Sequence, residues 1–221
     1  MRRTAVLLLP LSMGCSGGGV TLTGTVVDGV FGGGLAANVC ISDNCVETSN
    51  DGSWTLDNVP RGSRTLMTVT SETSQPALIG VVTRDRDKEV PEIPMLSTLA
   101  HDAQYNLLGL DPRPGTGVIN FQVRGSIPGG ADIAGVTGFL EPNAGDGPFY
   151  TTNLGLPGED DDATTESGGG VWLNVPVGNY NLDFDDLPDS CRTELGWGGP
   201  ENFDMLVQAS FTTLIRVICE F

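Results

Sequence analysis

The chain has 221 residues, with 11 Lys+Arg against 28 Asp+Glu, a net charge of −17, and a single histidine. So acidic a chain cannot neutralise a phosphate backbone, which excludes nucleic acid as a partner, and one histidine excludes multi-histidine metal sites and relays. Hydrophobic residues make up 39%, enough for packed cores, while 31 Gly and 14 Pro supply many turns without reaching the roughly 25–30% of a low-complexity chain.

Met1-Arg2-Arg3 is a short positive segment, and Ala5 to Leu11 is a brief apolar run. A membrane helix needs about 20 apolar residues, so residues 1–14 read as a cleaved export signal. Leu11-Ser12-Met13-Gly14-Cys15 resembles a bacterial lipobox, with Ser12 where the pattern carries leucine. That resemblance implies an acylated Cys15 and an exported protein, lipid-anchored to the outer membrane on its periplasmic or surface face. A plain secretory signal with an incidental cysteine is the alternative. Residues 15–20 are glycine-rich and read as a flexible tether.

From Val20 the apolar period is two. Thr21–Val27, Val39–Ile41, Val46–Thr48, Ser53–Leu56, Thr65–Val69 and Ala77–Thr83 are rich in β-branched residues and separated by turn residues. Short strands at this spacing predict an antiparallel sandwich over 21–96, with Asp51-Gly52 as a tight hairpin turn. Residues 97–114 hold the one predicted helix. Ser97 or Thr98 caps Leu99–Leu108, with Leu99, Ala103 and Leu107 as its apolar stripe and His101 facing solvent.

Residues 115–221 predict a second, diverged sandwich. Asn58-Val59-Pro60-Arg61-Gly62 returns as Asn174-Val175-Pro176-Val177-Gly178, an N-V-P-x-G motif at an offset of 116 residues. Proline removes a donor and glycine permits a sharp turn, so the motif predicts a strand-to-strand corner. The expected fold is all-β: two Ig/transthyretin-like sandwiches joined by one short helix.

Five cysteines leave one over in an exported chain. With lipid on Cys15, local pairing gives Cys40–Cys45 and Cys191–Cys219 as disulfides. Zinc fits poorly, because C-x₄-C has no second pair nearby and no histidine.

Gly24-Thr-Val-Val-Asp28, Gly34–Val39, Thr48–Leu56 and Asn58–Gly62 resemble the carboxypeptidase regulatory-like domain, and residues 117–186 resemble it more distantly. In the first stretch Trp54 stands where the family has phenylalanine. In the second, Ser167-Gly168 replaces the D-G turn. The resemblance implies a transthyretin-like (prealbumin-like) sandwich used as a non-catalytic appendage, and it supplies no catalytic residue. Nor does the sequence itself, which lacks G-x-S-x-G, H-E-x-x-H and P-loop patterns.

Two ligand classes follow from the remaining residues. Asp160, Asp161 and Asp162 in one loop, and Asp183, Asp185 and Asp186 in another segment, are oxygen-rich enough to make calcium the candidate cofactor, although like-charge runs are more often solvated. Trp197, flanked by Gly196 and Gly198, is the candidate anchor for sugar or protein. The alternative is that it folds back onto its own domain. The expected function is a non-catalytic cell-envelope lipoprotein, a binding or structural spacer that contacts the membrane through its lipid and engages a protein or polysaccharide. The alternative is a carbohydrate-binding module.

Overall fold

The computed structural model describes residues 18–126, 132–152, 156–158, 161–199 and 202–220. The lipobox with Cys15, and Asp160, lie outside the described residues. The first half contributes β1 (Val20–Asp28), β2 (Asn38–Ile41), β3 (Asn44–Glu47), β4 (Ser53–Val59), β5 (Arg64–Thr70), β6 (Ala77–Val82), β7 (Lys88–Glu89) and β8 (Ile93–Met95). Helix α1 (Thr98–Leu107) follows. The second half contributes β9 (Thr116–Gly125), β10 (Thr137–Glu141), β11 (Asp146–Tyr150), β12 (Gly169–Pro176), β13 (Gly178–Asp185), β14 (Cys191–Leu195), β15 (Trp197–Gly199), β16 (Asn202–Val207) and β17 (Thr212–Cys219).

These strands form three sheets. A small sheet runs β4-β1-β7, with β8 also on β1, and a second runs β10-β13-β16-β15. Between them lies a nine-stranded sheet ordered β11-β12-β9-β17-β6-β5-β2-β3, with β14 also on β17. The large sheet is thus the second layer of the first sandwich and the first layer of the second. Strand β17 joins the two, pairing in parallel with β9 from Thr212↔Val118 to Cys219↔Gly125 and with β6 from Thr212↔Ala77 to Leu214↔Ile79.

Alternation sends Leu22, Val39, Trp54, Leu56, Met67, Val69 and Ile79 into one core, which also takes Leu195 and Leu214 from the second half. Ile119, Phe121, Trp172, Leu182, Phe184, Phe203 and Val217 form the other. Each such side chain contributes about 1.5–3 kcal/mol when fully buried. A third cluster sets Tyr105 and Leu108 of the helix against Val118, Val171 and Leu173.

The two halves repeat each other at the level of hydrogen bonds. The Thr48 hydroxyl accepts from the Ala37 amide at 2.9 Å and donates to the Leu35 carbonyl at 2.8 Å. The Thr164 hydroxyl accepts from the Val136 amide at 2.9 Å and donates to the Ile133 carbonyl at 2.7 Å. Gly52 (φ 79°) and Gly168 (φ 63°) take equivalent left-handed turns, their carbonyls accepting from the Val26 and Val123 amides. Asn58 and Asn174 of the two N-V-P corners are both left-handed, φ 60° and 54°. Each sits beside a register shift in its ladder, between Leu56 and Val59 and between Trp172 and Val175.

Two local expectations are corrected. The Asp51-Gly52 turn does not make a hairpin: β3 pairs with β2 and β4 pairs with β1, so the turn carries the chain from one layer to the other. The inward alternation of Trp54 and Leu56 is met by the opposing sheet rather than by a hairpin partner. The helix begins as expected, with Ser97 accepting from the Ala100 amide at 3.2 Å, but it buries a different stripe. Leu99 is 81% and Leu107 57% exposed, while Gln104, Tyr105 and Leu108 face inward. His101 is therefore not solvent-facing. It packs at 5.1 Å on Tyr105, with its Nδ1 3.3 Å from Asp102.

Candidate functional site

Both disulfides are present. Cys40–Cys45 ties the β2–β3 hairpin across Ser42-Asp43, where Ser42 is left-handed (φ 54°), and Cys191–Cys219 ties β14 to the end of β17. Neither makes a reactive site. Their effect is to fix the far edge of the first half and the joining strand of the second.

Trp54 and Trp172 lie in the two cores at 4% and 1% exposure. Trp54 rests on Gly24, where a Cβ would come within 2.8 Å of the indole, which explains the glycine of the G-x-V-x-D stretch. Trp197 does something else. It stands on β15 and packs onto the first half, over Gly80 of β6, where a Cβ would meet the indole at 2.8 Å. Its Nε1 lies 3.1 Å from the Thr65 carbonyl and 3.3 Å from that of Val81, so it donates into the first half. The Arg64 guanidinium covers the indole at 5.3 Å and is paired with Asp204 of β16 at 2.7 Å. The flanking glycines thus do not leave the ring bare: one face has backbone, the other a cation.

Around Trp197 the outer face of the β10-β13-β16-β15 sheet carries a transverse row set by register. Glu141 lies opposite Asn181, Asn181 opposite Asp204, and Asp204 opposite Trp197. With Arg64 at its end, this row lines an open groove of about 590 Å³. The groove offers carboxylates, an amide, a guanidinium and an indole edge. That set can hydrogen-bond a polar ligand, and it contains no nucleophile with a base.

Asp183 and Asp185 share the outer face of β13, as their spacing predicts. Asp183 has a buried Oδ1 without a hydrogen-bond partner. Its carboxyl is held above the usual range, first by burial and then by Glu141 and Asp185. Asp162 lies in a different loop, where its charge adds to burial in raising the Tyr150 hydroxyl. Among the described residues no three acidic, histidine or cysteine side chains form a group able to hold a metal ion, so Asp161 and Asp162 are not brought together with Asp183 and Asp185. Among the described residues Asp51 is the carboxylate moved furthest down, to about 2, by hydrogen bonds from Ser53 and Ser49. It stabilises the turn between layers.

Sequence reasoning missed the docking of Trp197 on Gly80 and the role of Asn174. The Asn174 amide donates to the Asp146 carboxylate at 2.8 Å and to the Asp111 carbonyl at 3.0 Å, while its oxygen accepts from the Arg113 amide at 2.8 Å. The repeated N-V-P signal marked its backbone and not these partners.

No protein-family model matches the chain, and no curated protein matches it. Among solved structures, the minor pilin of Streptococcus agalactiae aligns at 14% identity over 91% of this chain and 95% of its own, with a TM-score of 0.30. A streptococcal ancillary pilin aligns at 13% over 91% and 68%, TM-score 0.32. A cohesin–X-dockerin complex from Acetivibrio cellulolyticus aligns at 18% over 35% of this chain and 56% of its own, TM-score 0.30. The chain spans 34% of the Bacillus anthracis TIE protein, which it also resembles, at 12% identity over 91% of this chain and a TM-score of 0.28. Likeness of this degree says nothing about what the chain does. Among the described residues no helix is long and apolar enough to cross a membrane.

Proposed function

We propose that this is a non-catalytic cell-envelope lipoprotein whose two sandwiches act as a rigid binding or structural spacer held to the outer membrane through Cys15. The observation that carries the reading is the continuous nine-stranded sheet, closed by β17 and clamped by Trp197 on Gly80. Two modules joined by backbone hydrogen bonds keep a fixed span, which a flexible linker would not. The carboxypeptidase regulatory-like reading of residues 21–96, with 115–221 as its diverged copy, belongs to this proposal and is supported by the duplicated hydrogen bonds of Thr48 and Thr164. The test of anchoring is partition into detergent: Cys15→Ser moves the protein to the aqueous phase, and an unchanged partition would sink the lipid anchor. Scattering tests the spacer: a single rigid envelope is expected, and a distribution of inter-module distances refutes it.

A second reading, a carbohydrate-binding module, is favoured by the Glu141–Asn181–Asp204–Trp197 row, whose carboxylates and amide suit hydroxyl ligands beside an indole edge. In a polysaccharide pull-down, Trp197→Ala should remove any binding that depends on this groove.

A further inference from the structure

The inner, polar face of the shared sheet opens into a second cavity, of about 500 Å³, between the two halves. Its floor is set by the parallel register of β17 and β9: Leu214 lies opposite Asn120, Arg216 opposite Gln122, and Ile218 opposite Arg124. Asn120, Gln122 and Arg124 alternate onto one face, while Phe121 and Val123 point into the second core. Glycine at 169, opposite Gln122 on β12, adds no side chain to that face. One wall is the Glu92–Leu96 segment with Gln104 of the helix. The other is Asp132 with the hydroxyls of Thr151 and Ser167, which lie 2.6 Å apart.

Two side chains here are buried over most of their surface and keep polar atoms open to the cavity. Gln104 is 4% exposed, lines the cavity, and makes no side-chain hydrogen bond among the described residues. Arg216 is 5% exposed. Its Nη1 donates to the Glu92 carbonyl at 2.9 Å and lies 3.7 Å from Glu194, which leaves its Nε and Nη2 without partners among the described residues. Asn120 is likewise free, whereas Gln122 and Arg124 are both engaged by Asp132, at 3.0 and 3.4 Å. Polar atoms that line a cavity without protein partners are hydrogen-bonding positions that a ligand can take over from water.

We infer that this cleft is a binding site for a neutral carbohydrate segment, held by Arg216, Gln104 and Asn120. The charge excludes an anion, since the two guanidiniums of the lining, Arg124 and Arg216, are matched there by the carboxylates of Asp132 and Glu92, with Glu194 lying 3.7 Å from Arg216, in a chain of net charge −17. The strand edges exclude peptide addition, since β9 is paired on both sides by β12 and β17, and β17 by β9 and by β6 with β14. What remains is a mixture of donors and acceptors matched to hydroxyls, which both give and receive. Leu96, Pro94 and Leu214 supply apolar surface for the C–H faces of a sugar ring. A volume of this size falls within the range of small-ligand sites.

The inference rests on the carbohydrate-binding reading but puts the sugar at a different place. The test is titration of the full chain with cello-, xylo-, malto- and mannohexaose, and with an oligogalacturonate as the acidic counterpart, followed by side-chain amide resonances. At least one neutral oligosaccharide is expected to shift the Asn120 and Gln104 amides. Asn120→Ala or Gln104→Ala should weaken it about tenfold or more at unchanged melting temperature, while Trp197→Ala leaves it intact. Binding abolished by Trp197→Ala and indifferent to Asn120→Ala would overturn the cleft and keep the carbohydrate reading. Preference for the oligogalacturonate would overturn the ligand class, and no binding by any probe would overturn both readings.

Discussion

Strands β4 and β12 carry the same corner motif on the same backbone and differ in what covers their outer face. In β4 the buried residues alternate, Trp54 and Leu56 inward with Ser53, Thr55 and Asp57 exposed, because solvent lies outside. In β12 every residue from Gly169 to Val175 is buried, since Trp172 faces the second core while Val171 and Leu173 face the helix. The corner asparagines follow suit. Asn58 is exposed and contributes only its tolerance of a left-handed backbone, whereas Asn174, 1% exposed, ties Asp111, Arg113 and Asp146 to the strand. The same turn occurs twice, and burial gives the second an added role in holding the segment between the halves.

Alanine at the two corners separates these roles most strongly. Asn174→Ala should cost about 2–4 kcal/mol, combining a left-handed alanine with the loss of three part-buried hydrogen bonds, and Asn58→Ala about 1 kcal/mol for the backbone alone. Urea denaturation reads both, and Asn58→Gly should be close to neutral while Asn174→Gly is not. Equal losses would show that the hydrogen-bond hub contributes nothing.

The disulfides contrast next. Loop-closure entropy gives about 3.5 kcal/mol for the bridge spanning 28 residues, Cys191–Cys219, and about 2 kcal/mol for Cys40–Cys45, which spans 5. Paired Cys→Ser variants in thermal melts should rank in that order. A reversed ranking would place the weaker link in the joining strand.

The seam is probed by Gly80→Ala, a change that meets no left-handed backbone and acts only by pushing on Trp197. It should cost about 2 kcal/mol, red-shift the tryptophan emission, and split a single calorimetric transition into two. Retention of one transition would mean that the β17 ladder alone couples the halves.

The smallest effect is electrostatic. Hydrogen bonds from Ser53 and Ser49 hold Asp51 at about 2, below its ordinary 3.8, and the second half has Ser167 at that place. A lowered carboxyl contributes stability that is complete above 3.8 and lost as the pH falls through about 2. Asp51→Ser should therefore flatten the acid limb of stability between those values, its loss being greatest at neutral pH and fading as the pH falls through about 2. Persistence of the full acid limb would assign it to other carboxylates.

Much of the fold is legible in the sequence because it is written locally. Two-residue alternation locates the strands, the cysteine spacings give both bridges, and the N-V-P-x-G repeat marks both corners. The helix stripe is not legible in this way, because the partner that buries Tyr105 is polar as well as apolar. Its hydroxyl faces Asn174 at 3.4 Å, so Leu99, Ala103 and Leu107 form the more hydrophobic line but not the inner one. The layer crossing at Asp51-Gly52 is also invisible locally, since a turn of that chemistry suits a hairpin equally well. Least legible are the parallel ladders of β17 and the seat of Trp197 on Gly80, where the partners are far apart along the chain. The same holds for the cleft: Asn120, Gln122 and Arg216 read as ordinary exposed alternation until β17 lies beside β9.

The position of β17 also governs how the chain acquires its structure. It is the last of the described strands, yet it fills the middle of the largest sheet. Until Thr212–Cys219 arrives, the β6 edge and the β9 edge both present unpaired backbone, and the second core lacks Ile215 and Val217. Neither half can finish early, and assembly waits on contacts of long sequence separation, which close slowly. A chain threaded through a membrane from its amino terminus would therefore emerge with two open edges. That interval, rather than the finished molecule, is where self-association and proteolysis find their opportunity.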